Sequence, residues 1–150
     1  MFKHILYPTD GSQASDQVLT HVVDLAQKFG AEVTVLHAYE FLEVIPVYET
    51  TYAYLDELET YLEGQSKEIA SRIHERLSEA GVTTHTAVIK GDPGYSIVNA
   101  VDEHHCDLVV MGSRGLGPIQ RFLLGSVSNY VVNHAKCPVM IVPTHATEES

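Results

Sequence analysis

The sequence has few cysteines and no long apolar run. Its two cysteines, Cys106 and Cys137, lie far apart without Cys-x-x-Cys spacing, so we expect both to be reduced and structural, not redox-active. No stretch approaches the roughly 18 apolar residues that cross a bilayer, and the first residues lack the apolar region of a signal peptide. We therefore expect a cytoplasmic protein that is not inserted in a membrane.

Basic residues are also scarce. The chain has 9 Lys and Arg against 20 Asp and Glu, which gives a formal net charge of −11. Because a nucleic-acid backbone would be repelled and no basic stripe offsets this charge, we expect no nucleic-acid binding. At 150 residues and 45% hydrophobic content, the chain suits a single domain over 1–150 with a proper core.

Several common functional motifs are missing. A Walker A loop needs Lys before its Ser or Thr, whereas Gly125 is followed directly by Ser126 and Val127. The glycines run Gly-x-x-Gly-x-Gly after a late strand, which is not the dinucleotide fingerprint, and a Gly-x-Ser-x-Gly nucleophile elbow is absent. The run from His104 to Asp107 does not predict a zinc site, because adjacent side chains at a helix end diverge.

Strand and helix patterns alternate along the chain, which is typical of a doubly wound parallel sheet. Right-handed crossovers allow the strand order 3-2-1-4-5 in a three-layer α/β/α, Rossmann-like fold, with the order reversing between strands one and four. The predicted strands are Phe2 to Tyr7, Glu32 to Ala38, Thr83 to Ile89, Asp107 to Met111 and Val139 to Val142. The predicted helices run from Ser12 to Gly30, from Leu55 to Gly81 with Gly64 bending it or marking its start, from Asp92-Pro93, and from Ser126.

A split glycine motif follows the fourth predicted strand. The loop after Met111 leaves the carboxyl end of that strand, where open α/β sheets bind ligands. Gly112, Gly115 and Gly117 let a ligand approach the main chain closely. Further on, Gly125 to Ser128 opens a predicted helix whose first turn offers N–H groups and two hydroxyls to an anion. The two half-sites together predict a clamp for one polyphosphate, and the strand order places the loop Gly112 to Gly115 opposite Pro8-Thr9-Asp10.

These residues resemble the ATP-binding branch of the universal stress protein family. That family's signature is Gly, two residues, Gly, nine residues, Gly, then Ser or Thr, and the chain has it from Gly112 to Ser126. The resemblance implies an adenine nucleotide alpha hydrolase-like fold. It extends along the chain through Ile5 to Ser12, Val35 to Ala38 and Cys137 to Pro143.

The resemblance implies that ATP binds with Mg²⁺ or Mn²⁺. The adenosine end would be lined by Pro8, Thr9, Asp10, Ala38 and Met111. The ribose and phosphates would be held by Gly112, Ser113, Arg114, Gly115, Gly125, Ser126, Val127 and Ser128. Ser126 and Ser128 suit phosphate oxygens or the metal ion, and Arg114 supplies a cation.

Several of these residues also have a plainer structural interpretation. Asp10 could cap the first helix, and Ser126 could be the N-cap of the last. Met111 could belong to the core, and Arg114 could be a solvated surface group. The acidic, Tyr-rich segment from Glu40 to Glu63 is either a flap or docking surface, or a solvated helix face with half-buried tyrosines, and we assign no chemistry to it.

Three classes of function remain open on the sequence. The first is a regulatory ATP-binding protein of the stress response with at most slow hydrolysis, because no Walker lysine or general base is identifiable. The second is a Mg-dependent ATPase or phosphotransferase. The third is a scaffold, or a protein whose ligand is another adenine nucleotide such as cyclic AMP. If strand Val139 to Val142 lies at the sheet edge it needs covering, and the resemblance implies a homodimer through it.

Overall fold

Strands and helices alternate along the chain, as its sequence patterns predict. The computed structural model describes residues 1–41, 49–113 and 124–144, and of 49–52 it describes the backbone alone. The strands are β1 His4–Pro8, β2 Glu32–Tyr39, β3 Thr84–Lys90, β4 Leu108–Gly112 and β5 Val139–Val142. The helices are α1 Gln13–Phe29, α2 Glu49–Glu79, α3 Pro93–Glu103 and α4 Ser126–His134.

The strands form one parallel sheet in the order β3-β2-β1-β4-β5, which confirms the predicted topology. Ile5 lies opposite Val33 of β2 on one side and Leu108 of β4 on the other. β5 pairs only with β4 among the described strands, beginning with Val139 opposite Val109. The strand order therefore reverses between β1 and β4, which is where the crevice of an open α/β sheet forms.

Alternate side chains along the strands pack into two apolar clusters, one on each face of the sheet. On one face Ile5 and Val35 contact α1 and α2, whose buried residues include Val22 and Ile73. On the other face Leu6 and Leu36 face the buried residues of α3 and α4, such as Ile97 and Val131. The helices thus cover both faces of the sheet and form the expected three layers.

The helix ends follow their local sequence. The Ser12 hydroxyl accepts from the Ser15 amide at 3.1 Å, and Gly30 ends α1 in the left-handed conformation with φ of 65°. Asp92 caps α3 through a 2.9 Å bond from the Tyr95 amide, with Pro93 at the first helical position. These predicted ends are confirmed.

Some predicted boundaries are wrong. β1 begins at His4, not Phe2, and β3 covers Thr84–Lys90, one residue later than predicted at each end. α2 begins at Glu49, earlier than the predicted Leu55, so Gly64 does not mark its start. A glycine inside a helix costs only about 1 kcal/mol relative to alanine. Burial of Ile73 and Leu77 further along the same helix offsets that cost.

The described part of the acidic segment is a solvated helix face, as one of the two interpretations proposed. Its tyrosines are not half-buried, however, since Tyr54 is 65% and Tyr61 60% exposed. They lie on the outer flank of α2, away from the Ser66 side chain that faces the sheet. The part of the segment over 42–48 lies outside the described residues. In the portions of the chain that the structure describes, no helix is long and apolar enough to cross a membrane.

Candidate functional site

The turn after β1 is held by the hydroxyl of Thr9. Thr9 is 7% exposed, its amide donates to the Leu36 carbonyl at 2.9 Å, and its Oγ1 lies 2.7 Å from the Ser15 hydroxyl. The same Oγ1 accepts from the Gly11 amide at 3.0 Å. Gly11 has φ of 80°, which favours glycine, and it lies directly against Ile69 of α2. The predicted adenosine end is therefore a rigid turn with buried Pro8 and Thr9.

Asp10 stands at the exposed outer side of this turn. Its Oδ1 accepts from the Ser12 amide at 2.9 Å, an Asx-type turn. The N-cap of α1 is Ser12, so the interpretation of Asp10 as the helix cap is wrong. One carboxylate oxygen of Asp10 organises the turn while the side chain remains accessible from the sheet edge.

β2 ends beside this turn with His37 and Ala38. His37 Nδ1 is hydrogen-bonded to the hydroxyl of Ser66, which is fully buried on α2. Burial lowers the pKa of His37, and the nearby Asp10 carboxylate partly opposes this effect. Ala38, on the other face, packs with the cluster that contains Met111. Met111 is 6% exposed, which confirms its interpretation as a core residue.

β4 leaves the sheet through Gly112 in a very tight environment. A Cβ atom added at Gly112 would lie 2.9 Å from Thr144 Cγ2 and 3.4 Å from Val18 Cγ2. The next amide, that of Ser113, donates to the Val142 carbonyl at 3.0 Å. The turn after β4 is thus pressed against the chain that leaves β5, and any side chain at 112 would displace one of its neighbours.

The two predicted half-sites meet at the carbonyl of Ser113. This oxygen accepts from the Gly125 amide at 2.9 Å and from the Ser128 hydroxyl at 2.6 Å. The turn after β4 is therefore bonded directly to the start of α4, across the ten residues 114–123 that lie outside the described ranges. The strand order alone predicts proximity, and these two bonds join the turns.

The start of α4 presents its amides without a side-chain cap. Gly125 is the N-cap and makes no side-chain cap bond, so the interpretation of Ser126 as N-cap is wrong. The first intrahelical bond runs from the Asn129 amide to the Gly125 carbonyl at 2.9 Å. A helix leaves the amides before this bond without intrahelical partners, which here are those of Ser126 to Ser128. Such amides and the positive end of the helix dipole favour an anion.

The two serines of this turn differ sharply. Ser126 is exposed, and its hydroxyl is therefore accessible from solvent. Ser128 is 2% exposed and directs its hydroxyl at the Ser113 carbonyl, with the Gly125 carbonyl also 3.2 Å away. Since a hydroxyl has one proton to donate, Ser128 has no proton left for a ligand while this bond persists. Val127 packs partly into the core beneath them.

A separate surface cavity of about 480 Å³ lies between the end of β3 and one flank of α3. Its rim includes three carboxylates, those of Asp92, Asp102 and Glu103, and the amine of Lys90. Lys90 is already paired with Glu59 at 2.9 Å. The carboxylates would repel a phosphate, so this cavity does not compete with the start of α4 as an anion site.

The comparisons with known proteins agree with this geometry. A model of the universal stress protein family matches residues 1–143. The chain belongs to the universal stress protein family. Universal stress protein MJ0531 of Methanocaldococcus jannaschii is 32% identical over 143 residues, covering 95% of this chain and 82% of that protein.

Solved structures of the family superpose on this universal stress protein along almost its whole length. Protein MJ0577, from the same archaeon, has a TM-score of 0.85 at 28% identity, covering 98% of this chain and 99% of that chain. A universal stress protein solved in complex with cAMP has a TM-score of 0.68 at 26% identity, covering 96% and 98%. The fold of this universal stress protein is therefore that of its family.

The predicted site residues fall into two groups. Most of them lie at the ends of β1, β2 and β4 and at the start of α4, which the structure brings together. Arg114 and Gly115 lie outside the described residues. Thr144 also lies at this site, next to Ser113, although the sequence did not predict it. The two residues are 31 positions apart, and no sequence pattern indicates that they are in contact. Within the described ranges no cluster of three His, Cys, Asp or Glu side chains could hold a metal ion.

Proposed function

We propose that this universal stress protein binds ATP, together with Mg²⁺ or Mn²⁺, in the crevice between β1 and β4. The proposal depends on the two hydrogen bonds that the Ser113 carbonyl accepts, from the Gly125 amide and the Ser128 hydroxyl. These bonds hold the two glycine turns next to each other. Amides of the first turn of α4 then converge there with the turn after β4. A polyphosphate is the ligand that such a pair of turns suits best.

In this proposal the adenosine lies over the ends of β1 and β2. The rigid turn at Thr9 supplies one wall, and the accessible Asp10 carboxylate supplies hydrogen-bond acceptors. The partly exposed Ala38 supplies apolar surface, and the buried Pro8 and Met111 support this end of the site from below. The phosphates lie along the main chain of Gly112, Ser113 and Gly125 to Ser128, and Arg114 and Gly115 complete this end.

The metal ion would be bound through the phosphates, with the exposed hydroxyl of Ser126 as the protein group nearest to them. The sequence suggests the same role for Ser128. Its hydroxyl proton is engaged by the Ser113 carbonyl, so Ser128 would act mainly by holding the two turns together. When bound, the metal ion would neutralise phosphate charge in a protein whose own net charge is −11.

We further propose that nucleotide occupancy has a regulatory purpose with at most slow hydrolysis, in a cytoplasmic, homodimeric protein of the stress response formed by one domain over 1–150. The alternative with a specific observation behind it is another adenine nucleotide, since a relative of similar fold was solved with cAMP. Both ligands would share the adenosine wall and differ in how far they extend along α4.

A charge placed at the start of α4 tests the proposal. Ser126→Asp puts a carboxylate at the first helical position, where its negative charge interacts favourably with the helix dipole. The fold should therefore be preserved, whereas the same charge should repel a phosphate. We expect ATP affinity to fall at least about tenfold, corresponding to about 1.4 kcal/mol. Adenosine affinity should stay within about twofold of wild type, since adenosine carries no phosphate. Isothermal titration calorimetry with ATP, ADP, AMP, cAMP and adenosine measures both.

Ser126→Asn is the matched control, because it has the same shape as the Asp variant without the charge. It should bind ATP more tightly than Ser126→Asp, and its difference from the wild type measures what the Ser126 hydroxyl contributes. If the wild type binds no adenine nucleotide, or if Ser126→Asp binds ATP as tightly as Ser126→Asn, the proposed site is wrong. Tight binding of cAMP with weak binding of ATP would favour the alternative ligand.

A further inference from the structure

Thr144 is a buried threonine two residues beyond the end of β5. It is 6% exposed, and its methyl group Cγ2 lies against Gly112, only 2.9 Å from the position of a Cβ atom there. Its amide donates to the Ser113 hydroxyl at 3.2 Å, and its own hydroxyl oxygen is 3.3 Å from the same atom. Thr144 therefore contacts Gly112, the last residue of β4, through its apolar part and Ser113, the residue after it, through its polar part.

Hydrogen bonds continue from Thr144 to the start of α4. The Ser113 hydroxyl accepts a hydrogen bond from the Thr144 amide. The Ser113 carbonyl accepts hydrogen bonds from the Gly125 amide and the Ser128 hydroxyl. The Ser113 amide is bonded to the Val142 carbonyl at 3.0 Å. Ser113 thus connects the start of α4 with the end of β5, and its bonds to Val142 and Thr144 hold the residue whose carbonyl binds α4.

We propose that Thr144 is a positioning residue for the phosphate end of the site. By holding the Ser113 side chain, it orients the carbonyl that fixes the first turn of α4 relative to the turn after β4. The inference rests on the proposed function, because positioning these turns matters only if a phosphate lies between them. A small displacement of either turn weakens an anion bound by both, since such contacts depend on geometry within about 0.5 Å.

The polar and apolar parts of Thr144 have separable effects. Thr144→Ser keeps the hydroxyl and removes the methyl group that packs on Gly112, so it mainly lowers stability. Thr144→Val keeps the shape and removes the hydroxyl, and with it the 3.3 Å contact with the Ser113 hydroxyl. Ser113→Ala removes the acceptor of the Thr144 amide as well, and its effect should exceed that of Thr144→Val.

The experiment measures ATP and adenosine affinity of these variants by calorimetry. A hydrogen bond is worth about 1 kcal/mol, so we expect Ser113→Ala to weaken ATP binding about fivefold. Thr144→Val should weaken it about threefold, and the double variant should match Ser113→Ala because both changes remove the same interaction. Adenosine affinity should not change. Thr84→Val, which removes a partly buried threonine hydroxyl at the opposite edge of the sheet, is the matched control and should bind ATP as wild type does.

Amide hydrogen exchange provides a readout that needs no nucleotide. Exchange at the Gly125 amide, which is bonded to the Ser113 carbonyl, should quicken in Thr144→Val and Ser113→Ala but not in Thr84→Val. Unchanged exchange there, fully additive losses in the double variant, or equal losses for ATP and adenosine would each overturn the positioning role. If the wild type fails to bind ATP, the proposed function fails, and the exchange result alone decides whether Thr144 orients this turn.

Discussion

Gly112 and Gly64 differ in the space that a side chain would meet. At Gly112 a Cβ atom would lie 2.9 Å from the methyl group of buried Thr144, whereas nothing lies within 4 Å of the equivalent atom at Gly64. Overpacking of this kind costs about 1–3 kcal/mol. Alanine replacing glycine inside a helix contributes about 0.5–1 kcal/mol instead.

We therefore expect Gly112→Ala to lower the free energy of unfolding by about 1–3 kcal/mol and Gly64→Ala to raise it by about 0.5–1 kcal/mol. Urea denaturation followed by circular dichroism measures both. The two variants carry the same chemical change, so Gly64→Ala is the control for the effect of alanine itself. Equal stabilities for the two variants would contradict the packing seen at Gly112.

His37 makes stability depend on pH. Burial lowers its pKa in the folded state below the ordinary value of 6.5, so the unfolded chain binds a proton more readily. The contribution of neutral His37 to the free energy of unfolding is fully present above pH about 6.5, and it is lost as the pH falls through the pKa of the folded state. We expect the free energy of unfolding to drop between pH 7.5 and 5.5.

The variant His37→Gln isolates this contribution, because glutamine still offers Ser66 a hydrogen-bond partner but does not titrate in this range. Its unfolding free energy should fall less steeply with acidification than that of the wild type. His4, whose pKa burial also lowers, keeps some pH dependence in both proteins. Identical slopes in urea titrations of the two proteins would exclude His37 as a source.

Among the described strands, β5 lies at one edge of the sheet and pairs with β4 alone. The carbonyls of Pro138 and Val142 point to β4, so Val139 and Ile141 direct their main-chain groups outward. Met140 is 37% exposed beside them. An apolar edge strand of this kind is usually covered, and a second copy pairing across it would do so.

We expect the wild type to sediment as a dimer and Ile141→Pro to sediment as a folded monomer. Proline removes the outward N–H of residue 141 and leaves the carbonyl bonds to β4 in place, which edge strands tolerate. Ile141→Val, which keeps that N–H, should remain dimeric. A monomeric wild type, or a dimeric Ile141→Pro in sedimentation velocity runs, would rule out assembly through this edge.

The order of elements was predictable because apolar periodicity and turn residues agree along the chain. Gly30 and Asp92-Pro93 mark helix ends through local conformational preferences, which need no distant partner. Strand ends depend on neighbours, and the β1 boundary moved because its pairing with β2 begins at His4 opposite Glu32. Gly64 gave a misleading signal, since burial elsewhere in α2 outweighs a local glycine penalty.

The site was predictable only as far as motifs and topology reach. The glycine spacing and strand order together predict that the turns after β1 and β4 lie near the start of α4. They do not predict which hydroxyl is accessible to a ligand. In the structure, the Ser128 hydroxyl points inward and donates to the Ser113 carbonyl. The contact between Thr144 and Ser113 depends on side-chain packing between two strand ends, a level that no sequence pattern encodes.

The net charge of the whole protein opposes binding of the proposed ligand. The formal net charge is −11, and ATP without a metal ion is also strongly negative. Salt screens such repulsion, with a Debye length of about 10 Å at 0.1 M. Without Mg²⁺, we expect ATP affinity to increase when NaCl is raised from about 0.02 to about 0.2 M.

Adenosine, which is uncharged, is the control for this prediction and should bind equally at both salt concentrations. Adding Mg²⁺ should strengthen ATP binding most at low salt, where the repulsion is least screened. Fluorescence competition or calorimetry measures all three dependences. An ATP affinity that falls with salt would mean that local cations, not the charge of the whole molecule, dominate the site.

β1 lies at the centre of the sheet, yet it precedes the other four strands of the sheet in the sequence. Its neighbour β4 begins at Leu108, so the chain must be translated through β4 before both sides of β1 can pair. A nascent chain that has released only β1, β2 and β3 keeps an open strand edge where the crevice will later form. The crevice proposed for the nucleotide therefore forms only after β4 and α4 have been translated, and a chain that stops before β4 lacks it.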